Sequence, residues 1–333
     1  MKKYLFKFGF LLLTLTFVSS TDLCGYPIDG YFRTGIKRLL YLQRIQENLI
    51  KNGTLPPPGG MLSVDSISLN LQNHDSQRFP DVDPELQKQL NKLFPGLDDS
   101  YSLTLLDYSD PEDMRYAQKQ ANRGFQPGSV GKLAVLTAMF CELENIYPYD
   151  FEKRIELLKN KNVRAGSWAL PNIHTVPVFN PENNTLTKRL LVADDVFSLF
   201  EWLDHMVSVS SNGAASVVWR EVMLMRAFGD AYAELTESQA EEWFKSTDAQ
   251  ELSDLSIDVV NAPLREMGIS SEEWRLGTFF TRGGSAKVRP QGGSIATPKA
   301  LTRWLWLLEH GQVVDAPSSL EIKRLLYITD RRI

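Results

Sequence analysis

Two cysteines and four histidines in 333 residues are too few and too scattered to form a Cys/His cluster at zinc-binding spacing. No metal-dependent mechanism is expected, and no motif calls for a cofactor. Basic residues form no block and the formal net charge is −5, which argues against a nucleic-acid partner. Internal repeats and low-complexity tracts are also absent. The most prominent apolar run, Phe8 to Val18, has 11 residues, too few to span a bilayer. What remains is ordinary: 43% hydrophobic, 23% charged and 11% aromatic residues exclude disordered, collagen-like and fibrous classes.

The N-terminus reads as a targeting segment. Met1-Lys2-Lys3 opens a basic stretch that extends to Lys7, the apolar run follows, and Val18-Ser19-Ser20 supplies small side chains where a signal peptidase cleaves. Residues 1–20 are therefore expected to be a signal peptide, and the protein to be periplasmic or secreted. Without them 33 basic residues face 41 acidic ones, a net charge of −8. Cys24 raises a lipoprotein alternative, disfavoured by Asp22 and Leu23 just before it. Export permits a Cys24–Cys141 disulfide, but Cys141 lies in an apolar run, where a buried free thiol is expected.

Residues 21–94 read as an N-terminal extension and 95–333 as the main domain. Ile36, Leu39, Leu40, Leu42, Ile45 and Leu49 predict a helix over 31–52, ended by Leu55-Pro56-Pro57-Pro58-Gly59-Gly60. Loose alternation over 61–70 predicts a strand, and Asp83 predicts the cap of a helix at 84–93. Strands at 101–108 and 114–119 flank the turn Asp110-Pro111-Glu112-Asp113. From Ser129 to about residue 145 the pattern is helical and apolar on nearly every side, as in a centrally buried helix. Further helices are expected at 194–206, 213–228, 238–245, 298–310 and 318–328. The class is α+β, a hairpin followed by a helical middle.

Two motifs carry chemistry. In Phe125-Gln126-Pro127-Gly128-Ser129-Val130-Gly131-Lys132, a serine and a lysine three residues apart at a helix start share one face. A serine hydroxyl needs a base to become a useful nucleophile, and lysine can serve where burial lowers its pKa. The N–H groups of the helix start favour a developing oxyanion. Taken alone, Ser-x-x-Lys is a weak pattern: a plain N-cap and a solvated lysine would satisfy it. The apolar surroundings of Lys132 count against that. A phosphate loop fails at two defining positions, with Gln126 in place of glycine and Leu133 in place of Ser or Thr. The second motif, Ser208-Val209-Ser210-Ser211-Asn212-Gly213-Ala214-Ala215, offers a hydroxyl to relay a proton and an amide to hold a carbonyl. Ser68-Leu69-Asn70 matches the same short pattern.

In this order and context the motifs resemble those of the penicillin-recognising serine hydrolases, most closely the class A β-lactamases and their relatives. Ser294-Ile295-Ala296-Thr297-Pro298-Lys299-Ala300-Leu301, ending at Gly311-Gln312-Val313-Val314, is similar to the Thr-Pro helix after the family's omega loop. The resemblance covers roughly residues 95–333. It implies an antiparallel sheet flanked by helices with an all-helical subdomain. It also implies Ser129 as acylated nucleophile, Lys132 as base, Ser210 as proton shuttle to the leaving nitrogen, and Asn212 as binder of the substrate amide. The substrate would be a β-lactam or a peptidoglycan stem peptide, the protein a monomer without metal or nucleic acid. A D-alanyl-D-alanine peptidase and a non-catalytic penicillin- or peptidoglycan-binding relative are the alternatives.

Three departures qualify this. Ser211 replaces the family's central aspartate. The omega-loop glutamate motif is missing: Thr278-Phe279-Phe280-Thr281-Arg282-Gly283 stands at its place, with Glu266, Glu272 and Glu273 nearby and expected on the surface. A Lys-Thr/Ser-Gly triad does not occur before Ile333, and Arg282-Gly283-Gly284-Ser285 precedes the Thr-Pro helix, in the wrong order. The expectation is a truncated copy lacking three of five strands, the second oxyanion N–H and the cationic wall, with low stability and little activity.

Overall fold

The stretch 31–52 forms two helices, not one. Gly35 takes φ +73°, a left-handed cap that stops α1 (Gly30–Thr34) before α2 (Lys37–Gln46) begins. The structure, a computed structural model, describes residues 29–55, 63–74 and 78–329. The expected signal peptide, Cys24 and most of the proline-rich loop lie outside them. The strand expected at 61–70 is instead a 3-10 turn at Val64–Ser66. There Ser63 Oγ accepts from Asp65 N, a local bond that competes with pairing.

Helix α3 (Pro84–Leu93) begins as expected, with Asp83 Oδ1 accepting from Leu86 N at 2.6 Å. The hairpin is β1 (Leu103–Asp107) and β2 (Arg115–Lys119), antiparallel with Leu105 opposite Ala117. Leu86 and Leu90 of α3 pack on Ala117 and Leu103. A 3-10 turn at Gly128–Gly131 then leads into α4 (Lys132–Ile146). Val135, Leu136, Met139, Phe140 and Leu143 of α4 are buried completely. Their transfer alone is worth roughly 10 kcal/mol before entropy is counted.

Then come α5 (Phe151–Asn160), β3 (Asn162–Arg164), β4 (Thr175–Asn180), β5 (Thr185–Leu190) and β6 (Val196–Ser198), followed by α6 (Leu199–Val207) and α7 (Asn212–Phe228). After them lie α8 (Glu237–Ser246), α9 (Ala249–Glu266), β7 (Trp274–Arg275), α10 (Arg282–Lys287), β8 (Ile295–Ala296), α11 (Pro298–Glu309) and α12 (Ala316–Tyr327). The class is α+β. The sheets of the described residues are two-stranded and antiparallel: β1–β2, β3–β6, β4–β5 and β7–β8.

Helices α4, α6, α7 and α9 pack into one core. Buried indoles there find acceptors, Trp202 Nε1 on Val163 O and Trp219 Nε1 on Ser256 O, both at 2.9 Å. Ile36 and Leu39 of the N-terminal segment join the same core. Between them Arg38 reaches both carboxylate oxygens of the fully buried Asp204, each at 2.6 Å. Cys141 is a free thiol on α4 whose pKa burial pushes up to about 12.

Candidate active site

Ser129 and Lys132 meet because the turn that carries them is 3-10 in its first residues. Gly128 supplies a left-handed φ of +52°, and Ser129 opens outward while Lys132 points in. The serine is exposed; the lysine is 2% exposed. Lys132 Nζ lies 3.0 Å from Ser129 Oγ. An accessible nucleophile is thus backed by a buried amine, the division of labour that serine activation by lysine requires.

The second motif approaches from the loop between α6 and α7. Ser210 adopts φ +60°, a conformation that costs an L-residue roughly 1 kcal/mol or more, and this aims both its polar atoms at the lysine. Lys132 Nζ reaches Ser210 O at 2.8 Å, Ser210 Oγ at 3.1 Å and Asn212 Oδ1 at 2.8 Å. Ser211 caps α7, its Oγ accepting from Ala214 N at 3.2 Å. The position asks for an N-cap, which serine fills as well as aspartate. Ser68 and Asn70 lie elsewhere, bonded to Lys323 and Glu309.

Counting protons gives the arrangement a direction. A neutral lysine amine has two N–H donors and one lone pair. Ser210 O and Asn212 Oδ1 can only accept, and they are the two closest oxygens. With both N–H groups so engaged, the lone pair is left for a hydroxyl proton, from Ser129 on one side or Ser210 on the other. The same nitrogen can take a proton from one serine and return it through the second.

Two residues that the sequence reading missed brace this loop. Asn172 Oδ1 accepts from Gly213 N at 3.4 Å and from Ser211 Oγ at 3.5 Å, while its Nδ2 donates to His174 O. His205 O accepts from Ser211 N at 2.9 Å. The His205 ring is buried against Phe197 and Trp202, with neither nitrogen hydrogen-bonded. Burial brings its pKa down to about 4, so the ring is neutral near pH 7. No short motif signals either one: Asn172 reaches the loop across the fold, and His205 through its backbone carbonyl.

The segment Leu276–Thr281 forms a third wall. Asn261 clamps its start, with Nδ2 on Leu276 O at 2.9 Å and Leu276 N on Oδ1 at 2.8 Å. At its end Thr281 Oγ1 sits 2.6 Å from Trp168 O and 3.0 Å from Ser216 Oγ. Phe279 stacks on Trp219 with centroids 4.4 Å apart, and the Phe280 ring centroid lies 5.1 Å from Lys132 Nζ. A Cβ on Gly131 would fall 2.8 Å from Leu276 Cδ2 and 3.6 Å from Phe280 Cζ. Glycine at 131 therefore lets this wall touch the turn that carries Ser129 and Lys132.

The nearby carboxylates are used elsewhere. Glu273 accepts from Ser270 N, Glu272 from Ser271 Oγ, and Glu266 is exposed on a groove along α9. That groove, about 1250 Å³, includes Arg226, Asp254 and Asp258 but none of Ser129, Lys132, Ser210 and Asn212. Arg282-Gly283-Gly284-Ser285 makes the first turns of α10 rather than a strand. Its Gly283 packs against backbone so closely that a Cβ would lie 1.9 Å from Ser167 O.

No family model matches the chain, and no curated protein matches it. Among solved structures, the β-lactamase from Sphaerobacter thermophilus DSM 20745 is similar at 13% identity with a TM-score of 0.40, over 69% of this chain. The chain spans 63% of the length of that β-lactamase. PBP-A is similar at 12% identity with a TM-score of 0.41, over 76% of this chain and 73% of its own. Likenesses this distant leave the chemistry to be argued from the site itself.

Proposed function

We propose that this chain is an exported serine hydrolase of the β-lactamase and penicillin-binding kind, acting on β-lactam or D-alanyl amide bonds as a monomer. The observation that carries the reading is the single amine of Lys132 within 3.1 Å of two serine hydroxyls and clamped by two pure acceptors. Ser129 Oγ attacks the amide carbonyl carbon as its proton passes to the neutral Nζ. The backbone N–H of Ser129 faces the oxyanion that forms. The amide C–N bond then breaks, and the proton returns from Nζ through Ser210 Oγ to the leaving nitrogen. Asn212 Oδ1 holds the lysine, which leaves its Nδ2 to bind a substrate carbonyl.

A second reading, a penicillin- or peptidoglycan-binding relative whose acyl adduct persists, is favoured by one specific feature. The sequence from Trp274 to Leu308, which includes the wall over Lys132, contains no aspartate or glutamate. Both readings share acylation, and intact-mass spectrometry after incubation with a fluorescent penicillin tests it. One adduct per chain is expected on the native protein and none on Ser129→Ala. An unmodified native protein, or equal labelling of the variant, would refute the proposal.

A further inference from the structure

We infer that Phe280 makes the acyl-enzyme long-lived, by occupying the place from which a water molecule could use Lys132 as its base. The inference rests on the acyl-serine reading above and concerns only the step after acylation. To release the product, a water oxygen must attack the ester carbonyl carbon while a base takes its proton. The ester C–O bond then breaks and Ser129 Oγ takes the proton back. The amine that can accept that proton is Lys132, and three of its neighbouring directions are filled by Ser210, Asn212 and Ser129. The Phe280 ring stands 5.1 Å from Nζ on a further side.

The ring cannot easily step aside. Its segment is clamped through Asn261 at Leu276 and through Thr281 at Trp168 and Ser216. The adjacent Phe279 is held between Trp219 and Trp168. The loop is also closed by β7 and β8, whose Ala296 exchanges hydrogen bonds with Phe125 just before the catalytic turn, both at 2.9 Å. A phenyl ring neither accepts a proton nor orders a water by hydrogen bonding as a carboxylate or amide would. Ser129 itself is exposed, so water reaches the ester from outside, where the wall offers it no base. The wall separates acylation, which needs Lys132 beside Ser129, from hydrolysis, which needs Lys132 beside water.

The test follows a fluorescent-penicillin adduct through formation and decay on the native protein, Phe280→Ala, Phe280→Ser and Phe280→Leu. Opening the wall with Ala or Ser should shorten the adduct half-life at least tenfold, the low end of what a positioned base contributes. Formation should change less than about threefold, because Lys132 keeps its contact with Ser129. Leu, which refills the space with apolar bulk, should restore the native lifetime. Equal lifetimes in all four would overturn the inference, as would loss of formation with unchanged decay, the mark of a ring that merely orients the lysine. Hydroxylamine supplies a measurement that needs no variant, since it attacks esters without a base. It should release the adduct from the folded protein nearly as fast as from the unfolded one. Resistance to it would mean occlusion from every side and would also refute the role given to Phe280. If the native protein forms no adduct at all, it is the acyl-serine reading that fails.

Discussion

Replacing Lys132 by methionine removes the base and keeps the bulk. If Lys132 takes the Ser129 proton, the variant loses the contribution of a positioned general base, about 10²- to 10⁴-fold in rate. At 1.36 kcal/mol per decade, that is about 3–5 kcal/mol on the acylation barrier. Stability moves differently. The native amine is hydrogen-bonded to oxygens of Ser129, Ser210 and Asn212, and such bonds are worth about 0.5–1.5 kcal/mol each. Against this stands the cost of taking a polar amine to 2% exposure, about 1–3 kcal/mol. The two nearly cancel, so Lys132→Met should leave the urea midpoint close to native or raise it. The assay pairs the second-order rate of penicillin labelling with an equilibrium urea titration. Labelling within threefold of native would refute the mechanism, because methionine cannot accept a proton. A protein that no longer unfolds cooperatively would show instead that Lys132 is a structural strut.

Three further outcomes follow from the packing. Gly213→Ala should destabilise by about 1–3 kcal/mol in a urea titration. The new Cβ would sit 2.6 Å from the backbone oxygen of Ala169, outweighing the up to ~1 kcal/mol that alanine gains in a helix. Labelling should fall with it, since Asn212 is the preceding residue. Arg38→Met should cost about 3–5 kcal/mol by leaving Asp204 buried without its partner. The double variant with Asp204→Leu should recover most of that in the same titration. His205 sets an acid limit. Its ordinary pKa of 6.5 falls to about 4 in the fold, so between those values the unfolded chain binds the extra proton. Stability is full above pH 6.5 and declines as pH falls towards 4, by about 3 kcal/mol in all. Urea midpoints measured from pH 7 to pH 4 should flatten in His205→Phe, and an unchanged slope would remove His205 as the cause.

The parts of this protein that were legible in its sequence are those set by near neighbours. Asp83 announces α3, the Asp110–Asp113 turn announces the hairpin, and Thr297-Pro298 announces α11, each through a cap or turn that acts within three residues. Ser129, Lys132, Ser210 and Asn212 lie in two short motifs that are weak alone and stand out through their resemblance to a family's motifs, and the fold brings all four together. Helix α9 went unseen because Pro263 stands inside it, where proline ordinarily ends a helix. Strands β3 and β6 have three residues each, too few for a periodic signal. Asn172, Asn261 and Thr281 bind partners 15 to 113 positions away, and only the folded chain shows what they hold. Phe280 lies in a stretch that lacks the expected glutamate, and only the folded chain sets its ring 5.1 Å from Lys132 Nζ.

Ser210 has the last consequence. Its backbone sits where glycine or asparagine would rest more comfortably, and its side chain fills no core. A chain shaped for stability alone would do better with glycine at 210, and would surrender the hydroxyl that faces Lys132. The loop therefore stands at a compromise between robustness and reactivity, so improvements in thermal tolerance sought at this position should come at the expense of the rate of penicillin labelling.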